Sequence, residues 1–266
     1  MRLDWIFAAG VVTAVAAAAR STWSPCGLSM LSSITPFGER SRGHRYGVTA
    51  AWFVLGAAVG GLCLGAASGV LALGVSALGL APTSVLVSVM VAAVAVAAAA
   101  ADTGVFGDWL PIIRRQVDDG WLSSYRPWFY GAGFGWQIGV GVATYVMTAA
   151  VFLLIAVAAL TGQTLAALVL GALFGLARGL TVLLTSRART PQSLRDLHRF
   201  LDRVGPTVRA VVIGVEIAVA TVALAEQWLV AGIAVGVAVT AVALIWTVHR
   251  RIPESSVTAT AQVAEG

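Results

Sequence analysis

Membrane-length apolar runs constrain this chain more than any other feature. A helix needs about 20 consecutive, mostly apolar residues to cross the hydrocarbon core of a bilayer. Stretches of that kind occur at 5–36, 47–73, 82–101, 128–160, 163–185, 207–225 and 228–248. Of the 266 residues 59% are hydrophobic and 11% charged, where an ordinary soluble domain has roughly 25% charged. The expected fold class is an all-α polytopic membrane protein with about seven transmembrane helices. The first twenty residues imitate a secretory leader, with Arg2 followed by an apolar run. Because the apolar character resumes after Arg20, that stretch reads as part of the first span.

A net charge of +5 could point to nucleic acid, but its distribution points to a lipid bilayer and to no nucleic-acid partner. All seventeen basic residues are Arg. They gather at Arg40, Arg42 and Arg45, at Arg114, Arg115 and Arg126, at Arg187, Arg189, Arg195, Arg199 and Arg203, and at Arg250 and Arg251. The turns near 74–81, 161–162 and 226–227 hold none, so alternate loops are basic. Positive loops stay inside. This places the chain in a bacterial cytoplasmic membrane, with the N-terminus outside and the C-terminus cytoplasmic. Asp118 and Asp119 beside Arg114 and Arg115 read as a solvated surface, and Trp109, Trp121 and Trp128 as an interfacial aromatic belt.

The spans divide into two units. Residues 1–101 hold a first set of three, 102–127 a cytoplasmic loop, and 128–225 a second set of three. An extra span at 226–248 and a cytoplasmic tail at 249–266 follow. Three crossings separate the two units, so they start on opposite sides of the membrane. Each opens with a long segment interrupted by Gly or Pro, which is the sequence pointer to a 3+3 inverted repeat. Within the second unit, Thr190-Pro191 reads as a helix start and Gly205-Pro206 as its stop. Between them, over 191–204, Leu194, Leu197, Phe200, Leu201 and Val204 share one face. The spacing predicts an amphipathic helix lying in the cytoplasmic headgroup layer, or else a docking site for a cytosolic protein.

Glycines recur four residues apart at Gly61, Gly65 and Gly69, at Gly131, Gly135 and Gly139, and at Gly171, Gly175 and Gly179. Small-residue stripes let helix backbones approach closely in lipid, and that is the reading preferred over a substrate groove.

Chemistry concentrates at Ser24-Pro25-Cys26-Gly27. Proline removes a donor and clashes with the preceding turn, so the first span must kink or split there, and backbone freed within lipid needs new partners or a wet cavity. Pro36 marks a second break. Arg20, Arg178 and Glu216 interrupt apolar spans. Buried ionisable groups in membranes are costly and usually paired, so Glu216 is expected to pair with Arg20 or Arg178 beside a cavity near Cys26. Ser29, Ser32, Ser33, Thr35, Gln137 and Thr144 would add polar lining. The cluster reads equally as a substrate, proton or redox pathway and as a structural ion pair. No metal-ligand spacing occurs among the His and Cys residues, and no cofactor is expected.

Ser24-Pro25-Cys26 with Ile34-Thr35-Pro36 resembles the first-helix motif of the CcdA/DsbD transmembrane family, which passes reducing equivalents across bacterial membranes. Gly133-Phe134-Gly135-Trp136-Gln137-Ile138-Gly139 is similar to the start of that family's second repeat. The resemblance implies two inverted three-helix repeats and a redox role for Cys26. It departs in one respect: the family's second Pro-Cys pair is missing, and Gln137 lies where that thiol would be. A dithiol relay needs two sulfurs in exchange distance. Cys63 sits about 9 Å from the depth of Cys26 if both helices are straight, whereas a disulfide needs Cα atoms within about 7 Å. It reads instead as a small apolar residue on a Gly-rich face.

Three functions follow from these residues. The first is a CcdA-like membrane protein that handles thiol/disulfide equivalents through Cys26, a thioredoxin-like partner supplying the other sulfur. The second is a redox-inactive permease of the same architecture, moving a small solute past Arg20, Glu216 and Gln137. The third is a non-catalytic membrane assembly subunit. At most the chain is a thiol-disulfide electron carrier, since it has no hydrolase or transferase motif.

Overall fold

A computed structural model describes residues 5–104 and 120–228, together with Val237 and Thr240. The span expected at 228–248 is otherwise outside the described residues, as are the tail, Trp109, Arg114, Arg115, Asp118 and Asp119. Every regular element among the described residues is helical. In chain order they are α1 (Trp5–Ser21), α2 (Pro25–Ser33), α3 (Pro36–Ser41), α4 (Tyr46–Ala77), α5 (Val85–Thr103), α6 (Trp121–Ser124), α7 (Pro127–Val140), α8 (Ala150–Leu160), α9 (Thr164–Leu180) and α10 (Pro191–Ala225). A 3-10 segment, Thr181–Arg187, extends α9.

Among the described residues four helices are long and apolar enough to cross a membrane: α4, α5, α9 with its 3-10 extension, and α10. A fifth crossing is obtained if α1 and α2, bent by 67° at their junction, form one broken span. The protein is thus an all-α membrane protein.

Prolines begin helices here. Pro25, Pro36, Pro127 and Pro191 each occupy the first turn of a helix, where the missing N–H costs nothing and the fixed φ is already helical. Ser24 and Thr35 cap the two short helices by accepting from Gly27 N and Gly38 N at 3.1 and 2.9 Å. The expected first span is therefore divided at Pro25 and again at Pro36, and the helix that follows each proline carries its own cap.

Pro206 behaves differently. The expected stop at Gly205-Pro206 is not made, and α10 runs unbroken for 35 residues. The amphipathic helix expected over 191–204 is thus the first part of a spanning helix. The carbonyl that loses the Pro206 N–H belongs to Asp202, an exposed residue that water can serve.

The segment expected to cross at 128–160 is likewise two helices. Gly141, at φ 76°, ends α7, and α8 starts only at Ala150. Nine residues of irregular backbone lie between them, where the sequence suggests one long interrupted helix.

Glycine contacts hold the centre together. Helix α4 packs its buried face against both α7 and α9. A Cβ on Gly135 would lie 2.0 Å from the Phe53 main-chain oxygen, and one on Gly171 2.3 Å from that of Gly61. Only hydrogen fits at these crossings, so the stripes serve helix packing. Around this centre, Phe134, Tyr130, Phe53, Met30 and Ile34 form one core cluster. Leu170, Phe174, Leu154 and alanines of α1 form a second. Residues of α5, α8 and the C-terminal half of α10 form a third.

Candidate functional site at two helix breaks

Each break in the bundle leaves helix ends inside it. The last carbonyls of a helix have no intrahelical partner, nor do the first N–H groups, and away from water they must be satisfied by side chains. Most of the intramembrane charge serves this purpose.

At the first break, Ser24 is wholly buried and its Oγ caps α2. The Arg178 guanidinium, reaching in from α9, donates through Nη2 to Ser24 Oγ at 3.4 Å and through Nη1 to the Ile138 main-chain oxygen at 2.7 Å. Ile138 lies in the last turn of α7, where a cation also complements the helix dipole. The guanidinium sits 5.9 Å from the centroid of Phe174. Its Nε has no hydrogen-bond partner, although the side chain is 1% exposed.

Cys26 occupies the second position of α2, 1% exposed and within electrostatic reach of Arg178. Beside it lies a cavity of about 10 Å³ lined in part by Ser21, Thr22, Gly27, Met30, Ile138 and Arg178. That volume is about what one water needs.

At the second break, the buried Asp102 carboxylate from the end of α5 caps the start of α8. It accepts from Ala149 N at 2.7 Å and from the Thr148 hydroxyl. The main-chain oxygen of the same residue, in the last turn of α5, accepts from Arg209 Nε and Nη2 at 2.8 and 2.6 Å. Arg20, in the last turn of α1, lies within electrostatic reach of both Asp102 and Arg209. Cations thus stand at C-terminal helix ends, and a carboxylate and hydroxyls at N-terminal ones.

The ion pair expected between Glu216 and Arg20 or Arg178 is not formed. Glu216 is fully buried and neither carboxyl oxygen has a hydrogen-bond partner. Its charged neighbour is Asp102, and Arg178 is engaged by Ser24 and Ile138 instead. Arg178 is consumed by the Ile138 carbonyl and Ser24, and Arg20 lies within reach of Asp102, which explains why the pairing fails. Two separate polar clusters result, so Arg20, Glu216 and Gln137 do not share one cavity. Gln137 is half-buried on α7. Thr144 lies in the second break with its hydroxyl buried and without a partner.

The remaining polar candidates are structural. Ser32 Oγ donates to the Leu28 main-chain oxygen and meets His198 Nε2 at 3.1 Å. The Ser33 carbonyl accepts from Arg42 at 2.7 Å, and Thr35 caps α3. No disulfide joins Cys26 and Cys63. Cys63 is exposed, on the side of α4 opposite the buried Gly61 and Gly65, not on the Gly-rich face as expected.

Three participants escape the sequence reading. Asp102 was assigned to a loop, Arg209 lies just past the expected end of the amphipathic segment, and Glu39 sits among loop arginines. Glu39 is wholly buried, pairs with Arg42 at 2.8 Å and accepts from the hydroxyls of Thr49 and Tyr130. Only its position three residues after a helix-starting proline could have hinted at this role.

The fold and these breaks define a helical integral membrane protein whose spans are interrupted and capped internally. No family model matches the chain, and neither does any solved structure. Curated relatives do match. The chain is 31% identical over 207 residues to the methylamine utilization protein MauF of Paracoccus versutus, covering 77% of this chain and 75% of that one. It is 33% identical over 175 residues to MauF of Methylobacillus flagellatus, covering 65% and 60%. Against MauF of Methylorubrum extorquens it is 33% identical over 160 residues, covering 59% and 55%. The chain belongs to the MauF family.

Proposed function

We propose that this protein takes part in methylamine utilization, as the names of its relatives say of them, and that it does so as a CcdA-like carrier of thiol/disulfide equivalents across the bacterial cytoplasmic membrane. The observation that carries the reading is the setting of Cys26. It stands in the first turn of a helix that starts inside the bundle, within electrostatic reach of a buried arginine and beside a water-sized cavity. Reactive cysteines are found at helix N-termini and next to cations.

Cys63 faces away, so the second sulfur belongs to a thioredoxin-like partner. The Cys26 thiolate attacks one sulfur of the partner's disulfide, an S–S bond forms as the partner's own breaks, and the other partner sulfur leaves as thiolate. A thiolate of a second, reduced thioredoxin-like protein then attacks the Cys26 sulfur, and the first partner leaves as a dithiol. The other thiolate of that second protein next displaces Cys26 as thiolate and closes the disulfide on the donor.

The inverted repeat and the seven-span topology belong to the same proposal. Several pairings support it. If α1 corresponds to α7, α2 to α8, α4 to α9 and α5 to α10, then α4 against α9 and α5 against α10 are each a pair across one axis. The contact α1·α9 exchanges with α4·α7, and α1·α8 with α2·α7, and all six occur. Both first segments of the units are also broken.

A redox-inactive permease or assembly subunit is the second reading, favoured by the 1% exposure of Cys26. Alkylation decides between them. In membranes, Cys26 of the Cys63→Ser variant should be modified by a small maleimide, protected by oxidant plus a thioredoxin-like protein, and trapped as a mixed disulfide. If Cys26 is inert throughout and Cys26→Ser supports methylamine growth as well as wild type, the carrier reading fails.

A further inference from the structure

Capping helix ends accounts for Arg178, Asp102, Arg209 and Ser24, and leaves one buried charge without a task. Glu216 projects from the buried face of α10, between Val212 and Val219, both of which pack in the core. Both its oxygens are unpartnered and the residue is 0% exposed. A bare carboxylate in such surroundings would carry a heavy desolvation cost, which a bound cation removes.

The charged groups around it are few. Asp102 of α5 is the charged neighbour of Glu216, Arg20 of α1 and Arg209 of α10 itself are neighbours of Asp102 in turn, and α8 carries no ionisable side chain. Asp102 is held by Thr148 and Ala149 N, and its carbonyl by Arg209, so none of these groups is placed to neutralise Glu216 by contact. Arg20 and Arg209 are only half-buried and lie at the edge of the cluster, giving it a polar side toward the surface.

We infer that Glu216, with Asp102 beside it, is a binding site for an exchangeable proton inside the membrane, a role independent of Cys26. On release the Glu216 O–H bond breaks and an O–H bond forms on water admitted along the Arg20 side. Uptake is the reverse. Asp102 tunes the site through its charge while keeping its cap on α8.

The test is labelling of the full-length protein in membranes with dicyclohexylcarbodiimide, which attacks carboxyl groups that carry a proton in apolar surroundings, followed by peptide mass spectrometry. Glu216 should be labelled, and labelling should fall about tenfold per pH unit once its proton titrates off. Glu216→Gln should lose the label yet elute as a folded species, and Asp102→Asn should shift the pH at which labelling falls. The inference is overturned if Glu216 stays unlabelled at every pH, or if its labelling does not change with pH. Protection by sodium chloride but not choline chloride would also overturn it, by assigning the site to a metal cation. None of these results depends on the state of Cys26, so the two readings fail separately.

Discussion

The Arg178 guanidinium donates to the main-chain oxygen of Ile138 at 2.7 Å, tying the last turn of α9 to the last turn of α7. A single side chain thereby joins α9, the last turn of α7 and, through Ser24, the first turn of α2. Arginine suits this position because its planar fork offers several donors that a lysine cannot direct two ways at once. Arg178→Met keeps the stem but removes every donor. It should lower stability by about 1.5–3 kcal/mol, the range for hydrogen bonds involving a charged group, and Arg178→Lys should recover only part of that. Unfolding in detergent micelles, followed by loss of helical signal, measures both.

Substitutions at glycine should sort by location rather than by residue type. A Cβ at Gly175 would sit 2.2 Å from the Ala57 oxygen, whereas one at Gly214 meets nothing within 4 Å. Gly175→Ala must therefore push α4 from α9, with a cost of about 1–3 kcal/mol, as for overpacked cores. Gly214→Ala, mid-helix and in open space, should stabilise by about 0.5–1 kcal/mol. Equal effects in a paired unfolding measurement would contradict the close crossing of α4 and α9.

The part of α10 around Pro206 makes a smaller prediction. Trp23, in the break between α1 and α2, donates from Nε1 to the Leu201 oxygen at 3.0 Å, and its ring lies against Gly205. Trp23→Phe keeps most of the ring but loses the donor, at a cost of about 1 kcal/mol. Gly205→Ala places a Cβ 2.8 Å from the indole nitrogen and should shift the Trp23 fluorescence as the ring is displaced.

How much of this could be read from sequence depended on whether a feature was local. Apolar runs marked the spans because lipid leaves few alternatives to a helix. The split at Pro25 was legible because Ser24 and Pro25 carry their own capping chemistry. The second break was only half visible: Gly139 and Gly141 interrupt the 128–160 segment, but no proline announces that α7 stops. Pro206 misled for the opposite reason, since a helix can carry a proline wherever water serves the freed carbonyl. Partner choice was not legible at all. Nothing in the spacing says that Arg178 will prefer the Ile138 carbonyl to Glu216, or that Asp102, at the end of an apolar run, will fold back to cap α8. Those choices are made by which helix ends the tertiary fold brings near each charge.

The position of Cys63 gives the most direct check on the site. A depth estimate alone left a bond to Cys26 conceivable if the first span bent. Facing decides the matter, because Gly61, Leu64 and Gly65 are the residues of α4 turned inward, and Cys63 lies on the other side of the same turn, exposed. Oxidation with copper phenanthroline should therefore yield no intramolecular Cys26–Cys63 disulfide, read as unchanged mobility on a non-reducing gel and an intact Cys26 peptide by mass spectrometry. Cys63→Ser should leave stability within about 0.5 kcal/mol of wild type, as expected for a surface position. An internal disulfide would instead require α4 to turn by about half a revolution, separating Gly61 from Gly171 and breaking the crossing that the glycines allow. It would also restore a second sulfur to the chain and remove the need for a partner's.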